Sequence, residues 1–362
     1  MFVSHLSLKD FRSYENLELS LKAGQNIFIG ENGEGKTNII EALMYLALLS
    51  SHRISNDQPL IKLGSERAYI RAKIESDERT TLVELEINNG KANRAKVNQN
   101  PVRSQKELLG LVKSVCFSPE DLDLVRGDPS ERRSFLDQLL IQQSPRLAGV
   151  ISDYERALKQ RNSLLKSRAP ESSLRSWSEH LATFGGELIA GRIKLINEIE
   201  PLFQIAYKNL SAKKLAKLGY KSSIPAPSSE KEVNKEVMLK VIEEVKSQEI
   251  ERGISLVGPH RDDLILNLGD HPVKGYASHG ESWSIALALR LASYQLFINE
   301  GAKPILILDD VFSELDEGRR EKLLEIADSA EQTFITVAVE NDLPKAIQGA
   351  RFKVEMGKVV IL

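Results

Sequence analysis

Eight residues constrain this chain more than any others. Gly30-Glu31-Asn32-Gly33-Glu34-Gly35-Lys36-Thr37 stands between the short apolar run Asn26-Ile27-Phe28-Ile29 and a helix-periodic apolar run from Asn38 to Leu49. Strand, glycine-rich turn and helix in that order make a loop whose backbone N–H groups close around a phosphate. Side chains at Gly30, Gly33 and Gly35 would hold those N–H groups off the anion, and the helix N-terminus adds a favourable dipole. In such a loop Lys36 reaches the β- and γ-phosphates, and the hydroxyl of Thr37 is a ligand for Mg2+. The bland alternative is a glycine turn with a chance Gly-Lys-Thr, which leaves the flanking strand and helix without a reason.

A second motif supplies what the loop lacks. Ile305-Leu306-Ile307-Leu308 runs straight into Asp309-Asp310, the pattern of a buried strand that delivers carboxylates to a metal beside the phosphates. Asp309 is the expected metal ligand, directly or through water, and Asp310 the expected general base for an attacking water. Alone, such a strand end is a common strand-to-helix junction. Val311 to Asp316 then reads as a polar turn before a helix starting near Glu317. Upstream, Ser278-His279-Gly280-Glu281-Ser282 feeds the helix-periodic run Trp283 to Ala292, and a hydroxyl with a glycine at a helix start makes a second anion site. The phosphate loop already holds the γ-phosphate of its own chain. A symmetric dimer, in which each subunit closes the other's nucleotide, uses both sites.

The rest of the chain frames these motifs. Phe2 to Leu8 and Ala68 to Ile74 alternate at period two, which predicts a sheet with an antiparallel part. Residues 121–140 and 146–166 carry Leu and Ile at helical spacing, and helix is expected to dominate to about Lys217. Lys221 to Ser229 reads as a loop, Glu230 to Glu251 as one charged amphipathic helix, and Lys303 to Asp309 and Thr333 to Val339 as buried parallel strands. The fold class expected is α/β: a mixed-sheet core split around a mainly helical lobe. A lone Cys116 excludes an internal disulfide and a cysteine-based zinc site. The start shows no signal-peptide pattern and no apolar run is long enough for a bilayer, so no membrane is involved and a cytoplasmic protein is expected.

The order of Gly30 to Thr37, Ser278 to Glu281, Ile305 to Asp310 and Ser313 to Asp316 strongly resembles the ABC-type ATPase heads of the SMC class. Phe117 to Asp137, Gly258-Pro-His-Arg-Asp-Asp-Leu264 and the opening Leu8 to Tyr14 narrow the likeness to the RecF family, over essentially the whole chain. The 241-position step from Thr37 to Ser278 exceeds what a transporter ATPase is expected to carry and falls far short of an SMC protein with coiled-coil arms. The resemblance implies a Walker A loop at 30–37, a Walker B pair at Asp309 and Asp310, a D-loop with Ser313 and Asp316, and a signature at Ser278, Gly280 and Glu281 that acts in trans. It implies ATP and Mg2+ as cofactors. It divides the chain into an ATP-binding lobe, 1–117 with 302–362, and a lobe at 118–301 carrying the signature.

The activity implied is a weak DNA-dependent ATPase acting as a molecular switch. ATP drives homodimerisation on double-stranded or gapped DNA, and slow hydrolysis releases it, assisting RecA loading with RecO and RecR. Arg12 is an additional nucleotide contact by the same likeness, or simply solvated. Glu120 lies where such heads carry a glutamine-containing loop that senses Mg2+. This chain departs from the family pattern in having His279 for the common glutamine, Asp310 for the glutamate of fast ABC ATPases, and no histidine after Asp316, where Thr336 is near the corresponding strand. Ser278 and Gly280 are retained, so trans binding is expected to survive with a pH behaviour altered through His279; the shorter Asp310 fits slow hydrolysis, and with no switch histidine a timer is expected.

The net charge of −2 does not advertise a nucleic-acid partner. Yet residues 159–221 hold twelve basic side chains against five acidic ones, a local +7, with Lys213, Lys214 and Lys217 the densest cluster and the candidate DNA contacts. The alternative is a solvated helical face. Arg132 and Arg133 are expected to be structural, paired with Glu131 or Asp137, and Asp262 and Asp263 to pair with Arg261. Two other function classes remain open here: the nucleotide-binding subunit of a membrane transporter, and a DNA-binding scaffold with an inert pocket.

Overall fold

The computed structural model describes residues 1–362 apart from 52, 55, 77, 78, 212, 213, 345 and 346. The chain forms two compact units, Met1–Asp121 with Leu289–Leu362, and Leu122–Ala288.

The first unit begins with the period-two segments. Strands β1 (Phe2–Phe11), β2 (Tyr14–Ser20), β4 (Arg67–Ser76), β5 (Arg79–Asn88), β6 (Arg94–Val97) and β7 (Asn100–Pro101) form one antiparallel sheet in the order β2-β1-β4-β5-β6-β7. Strand β4 buries every second residue from Ala68 to Ile74, as a half-buried strand must. Between these strands come β3 (Gly24–Ile29) and helix α1 (Lys36–Leu48), and after them β8 (Ser114–Phe117). Much later in the chain follow β12 (Ile305–Asp309), helix α9 (Glu317–Ser329), β13 (Gln332–Val337), β14 (Ala350–Glu355) and β15 (Lys358–Ile361). The second sheet has the order β15-β14-β3-β13-β12-β8, parallel except for the terminal hairpin. Every residue of β12 and β13 is buried, which explains the apolar run of β12 up to Asp309, while the buried Gln332, Thr333 and Thr336 of β13 spend their polar groups on hydrogen bonds.

From Ile39 on, helix α1 is apolar all round apart from Glu41, because it is enclosed. Ile39, Leu43 and Leu46 share one core with Leu6 and Ile70 of the antiparallel sheet and with Phe28, Ile307 and Phe334 of the parallel one. A helix enclosed from Ile39 to Leu48 cannot drift, so its first turn holds Lys36 and Thr37 in place at the cavity.

The second unit contains α2 (Leu122–Arg126), α3 (Pro129–Gln143), α4 (Leu147–Lys166), the forty-residue α5 (Glu171–Leu210), α6 (Lys231–Glu244), α7 (Lys246–Arg252) and the start of α8 (His279–Asn299). Gly186 lets α5 and α6 meet closely, since a Cβ there would lie 2.7 Å from the Lys231 carbonyl oxygen. Two expectations are corrected. Helix ends at Leu210, and Ala216–Lys221 is strand β9, which pairs antiparallel with β10 (Asp263–Leu268), itself flanked by β11 (His271–Pro272). The segment expected as one helix from Glu230 breaks at Val245 into α6 and α7. Gly127 and Asp128 separate α2 from α3.

Candidate nucleotide site

The phosphate loop is braced from several sides. Gly30 packs flush on β14, where a Cβ would overlap the Val354 carbonyl. Gly33 and Gly35 adopt φ of 91° and 116°, conformations that L side chains resist. The Tyr14 hydroxyl donates to the Gly35 carbonyl at 3.1 Å, and burial with Glu34 nearby pushes this phenol far above its ordinary range, so it stays a neutral donor. The Glu34 carboxylate accepts from the Met356 N–H, and the Glu34 carbonyl from the Gly357 N–H at 3.2 Å, in the β14–β15 turn. Gly30→Ala is therefore expected to cost about 1–3 kcal/mol of stability by overpacking. The same variant should weaken nucleotide binding by roughly tenfold or more, about 1.4 kcal/mol. Thermal melting and nucleotide titration check both, and unchanged affinity would show that the loop yields.

Lys36 is 3% exposed and donates to the carbonyls of Gly30 and Glu31, at 2.6 and 3.2 Å, and to Asn32 Oδ1 at 3.4 Å. Its ammonium also stands 3.9 Å from Asp310 Oδ2. A cavity of about 460 Å³ opens beside it, with Asn32, Lys36, Thr37 and Asn38 on one wall and Pro119, Asp310, Ser313 and Asp342 on the other. The two motifs, nearly three hundred residues apart in sequence, thus line one cavity.

Thr336 arranges the carboxylate pair. Its hydroxyl donates to Asp309 Oδ1 at 2.5 Å and accepts from the Asp310 N–H at 2.9 Å. Asp310 takes a left-handed φ of 51°, which turns its side chain toward the cavity while Asp309 stays behind the wall. Burial pushes the Asp309 carboxyl up to about 6; Thr336 pulls it down, and Asp310 and Glu120 push it further up. Burial also raises Asp310, with Lys36 opposing. Two desolvated carboxylates beside a threonine hydroxyl fit a divalent cation that takes its remaining ligands from phosphate oxygens and water.

The other site residues fall as follows. The Ser313 hydroxyl donates to the Asp310 carbonyl at 3.1 Å on the cavity wall, and Asp316 caps α9 by accepting from the Arg319 N–H at 3.0 Å. The Arg12 guanidinium forms a two-point pair with buried Glu41, at 2.7 Å each, rather than lining this cavity. Glu120 is exposed, next to Pro119 in the wall. In the second unit, Ser278 and Glu281 bond reciprocally at the start of α8: the Ser278 N–H donates to Glu281 Oε2 at 2.9 Å and the Glu281 N–H to Ser278 Oγ at 3.2 Å. Gly280 follows in that same first turn.

The basic segment is less basic at the surface than its composition. Arg161 and Arg192 are each 2% exposed and are paired with Glu249 and Asp137. Lys214 pairs with Glu281 at 2.8 Å, Lys217 is exposed on β9, and Lys213 lies outside the described residues. The segment 258–264 is the knot of the second unit, and the expected pairings are corrected. Asp262 accepts from the Tyr220 hydroxyl, the Ser222 hydroxyl and the Ser223 N–H, and Asp263 takes both ends of Arg132. Arg261 caps the Ser255 carbonyl at 2.9 Å, and Arg133 donates to the Asp262 carbonyl. Such pairs, up to 131 positions apart, satisfy charges that the helical core buries.

Comparison with known proteins gives a consistent picture. The model of the RecF/RecN/SMC N terminal domain matches residues 2–358. Proteins named DNA replication and repair protein RecF from Streptomyces avermitilis and Cutibacterium acnes are 52% and 45% identical, each covering 99% of this chain, with 99% and 98% of their own lengths matched. A solved structure of the recombination mediator protein RecF-ATPrS in the RecFOR pathway superposes with a TM-score of 0.92 at 28% identity, over 100% of this chain and 98% of that one. An Smc head domain from Pyrococcus furiosus gives 0.57 at 17% identity, over 100% of this chain and 96% of that one, a likeness of fold.

Proposed function

Because the chain belongs to the RecF branch of the RecF/RecN/SMC family, we propose that it is an ATP-dependent DNA-binding protein of replication and recombinational repair. The observation that carries this reading is the single cavity in which Lys36 and Thr37 face Asp310 and Ser313. The loop N–H groups and Lys36 bind the phosphates of ATP, with Gly30 to Thr37 as the cradle. Thr37 and Asp309 would hold Mg2+, and the cation would supply charge neutralisation at the phosphates. Asp310, oriented by its backbone bond to Thr336, accepts the proton of the attacking water. Its short side chain, in place of a glutamate, favours slow turnover.

Closure needs a second copy. The first turn of α8, with Ser278 and Gly280, presents its N–H groups to the partner subunit's nucleotide. The closed dimer holds double-stranded or gapped DNA, and hydrolysis opens it, weakly stimulated by DNA. Together with RecO and RecR it assists RecA loading in the cytoplasm. Among the described residues no helix is long and apolar enough to cross a membrane. Ser278→Arg, at an exposed position, is expected to keep nucleotide affinity within about twofold while removing the dimer, because a long side chain fills the place the partner's phosphate must occupy. Nucleotide titration with sedimentation reads the two effects separately.

The DNA side of the reading is tested by salt. A backbone-binding protein loses affinity with a log–log slope of about −0.9 for each phosphate neutralised. ATP-dependent retention of duplex DNA should fall steeply between low and physiological salt, and a flat response would contradict it. A scaffold with an inert pocket is separated by turnover: zero hydrolysis with and without DNA would favour it.

A further inference from the structure

Resting on the closed-dimer reading above, we propose that Lys214 belongs to the signature site instead of the DNA surface: it neutralises Glu281 so that the partner's γ-phosphate can be received at Ser278 and Gly280. Glu281 is fixed in the first turn of α8, with Oε2 on the Ser278 N–H at 2.9 Å and Oε1 on Lys214 Nζ at 2.8 Å. The carboxylate therefore stands among the very N–H groups that a phosphate would approach. Like charges so close repel strongly wherever water is excluded, as at a closing interface. The ammonium of Lys214, arriving from the segment before β9 and 67 positions away in sequence, cancels that charge from the opposite carboxylate oxygen.

Two considerations separate this role from the alternatives. The pair is half open to solvent, with side-chain exposures of 54% for Lys214 and 26% for Glu281, and exposed ion pairs contribute little to folding. Stability thus gives no sufficient reason for it. A lysine already compensated by a carboxylate adds no net positive charge with which to displace counterions from DNA, so its presence in the basic segment overstates that surface. The bond from Lys214 and then those from Ser278 hold the Glu281 carboxyl down to about 2, so the negative charge is present at every working pH.

A double-mutant cycle tests the proposal. ATP-dependent dimerisation is measured by sedimentation at low salt for the wild type, Lys214→Ala, Glu281→Gln and the double variant, with the salt slope of duplex binding for the wild type and Lys214→Ala. Lys214→Ala is expected to weaken dimerisation about tenfold, and the double variant to return within about twofold of Glu281→Gln, because no charge then needs cancelling. The salt slope should not change. A defect that persists in the double variant, a Lys214→Ala protein that dimerises normally, or a slope reduced by about one would overturn the proposal. Should Lys214→Ala melt early, Lys214→Gln keeps most of the side-chain stem and takes its place in the cycle. A wild type that does not dimerise with ATP overturns the closed-dimer reading itself, before any variant is compared.

Discussion

Lys36→Ala is expected to abolish ATP-dependent dimerisation and the retention of DNA. The lysine is buried, its stem rises from the first turn of an enclosed helix, and its ammonium lies between the loop carbonyls and Asp310. Removing a charge-assisted contact to phosphate in such a place costs about 2–3 kcal/mol, roughly a hundredfold in nucleotide affinity. The fold should survive, because the loop keeps Tyr14, Val354 and the β14–β15 turn as braces. Nucleotide titration with melting curves checks this, and a variant that binds ATP normally would remove Lys36 from the phosphates.

Asp310→Asn is expected to have the second large effect, with the opposite consequence for assembly. Asparagine matches the size of aspartate and tolerates the left-handed φ of 51°, so the Thr336 bond to the backbone N–H remains available. What disappears is the proton acceptor, and general-base removal lowers turnover by about 10²–10⁴. Binding and closure do not need that proton transfer. The variant should therefore accumulate as a long-lived ATP dimer on DNA. Single-turnover hydrolysis and the lifetime of the DNA complex report the two halves of this prediction. Normal turnover would assign the base elsewhere.

The two effects were legible in sequence to different degrees. The phosphate loop could be placed because glycine, lysine and threonine at those spacings have few other uses between a strand and a helix. The carboxylates could be placed because an all-apolar run ending in charge must deliver it somewhere. Thr336 could be set only near a relevant strand, since a threonine in a buried strand looks like any β-former; its role exists only once β12 and β13 are neighbours. The same holds for Tyr14 and Val354, which act on Gly35 and Gly30 through contacts between distant segments that no local pattern reveals. Composition misled where charges are spent internally: Arg161, Arg192 and Lys214 count as basic residues, yet each is matched by a carboxylate far away in the chain. Strand β9 was hidden although Ala216, Leu218 and Tyr220 alternate with Lys217, Gly219 and Lys221, because six residues with a central glycine directly after a long helical stretch read as a strand only once β10 pairs with them.

In the proposed mechanism ATP closes two copies of this chain through the signature turn of one and the phosphate loop of the other. Sedimentation of the wild-type protein with and without ATP and Mg2+ tests it most directly. The dimer fraction should rise sharply with ATP and fall back as hydrolysis completes. The same dimer fraction in both conditions would contradict it.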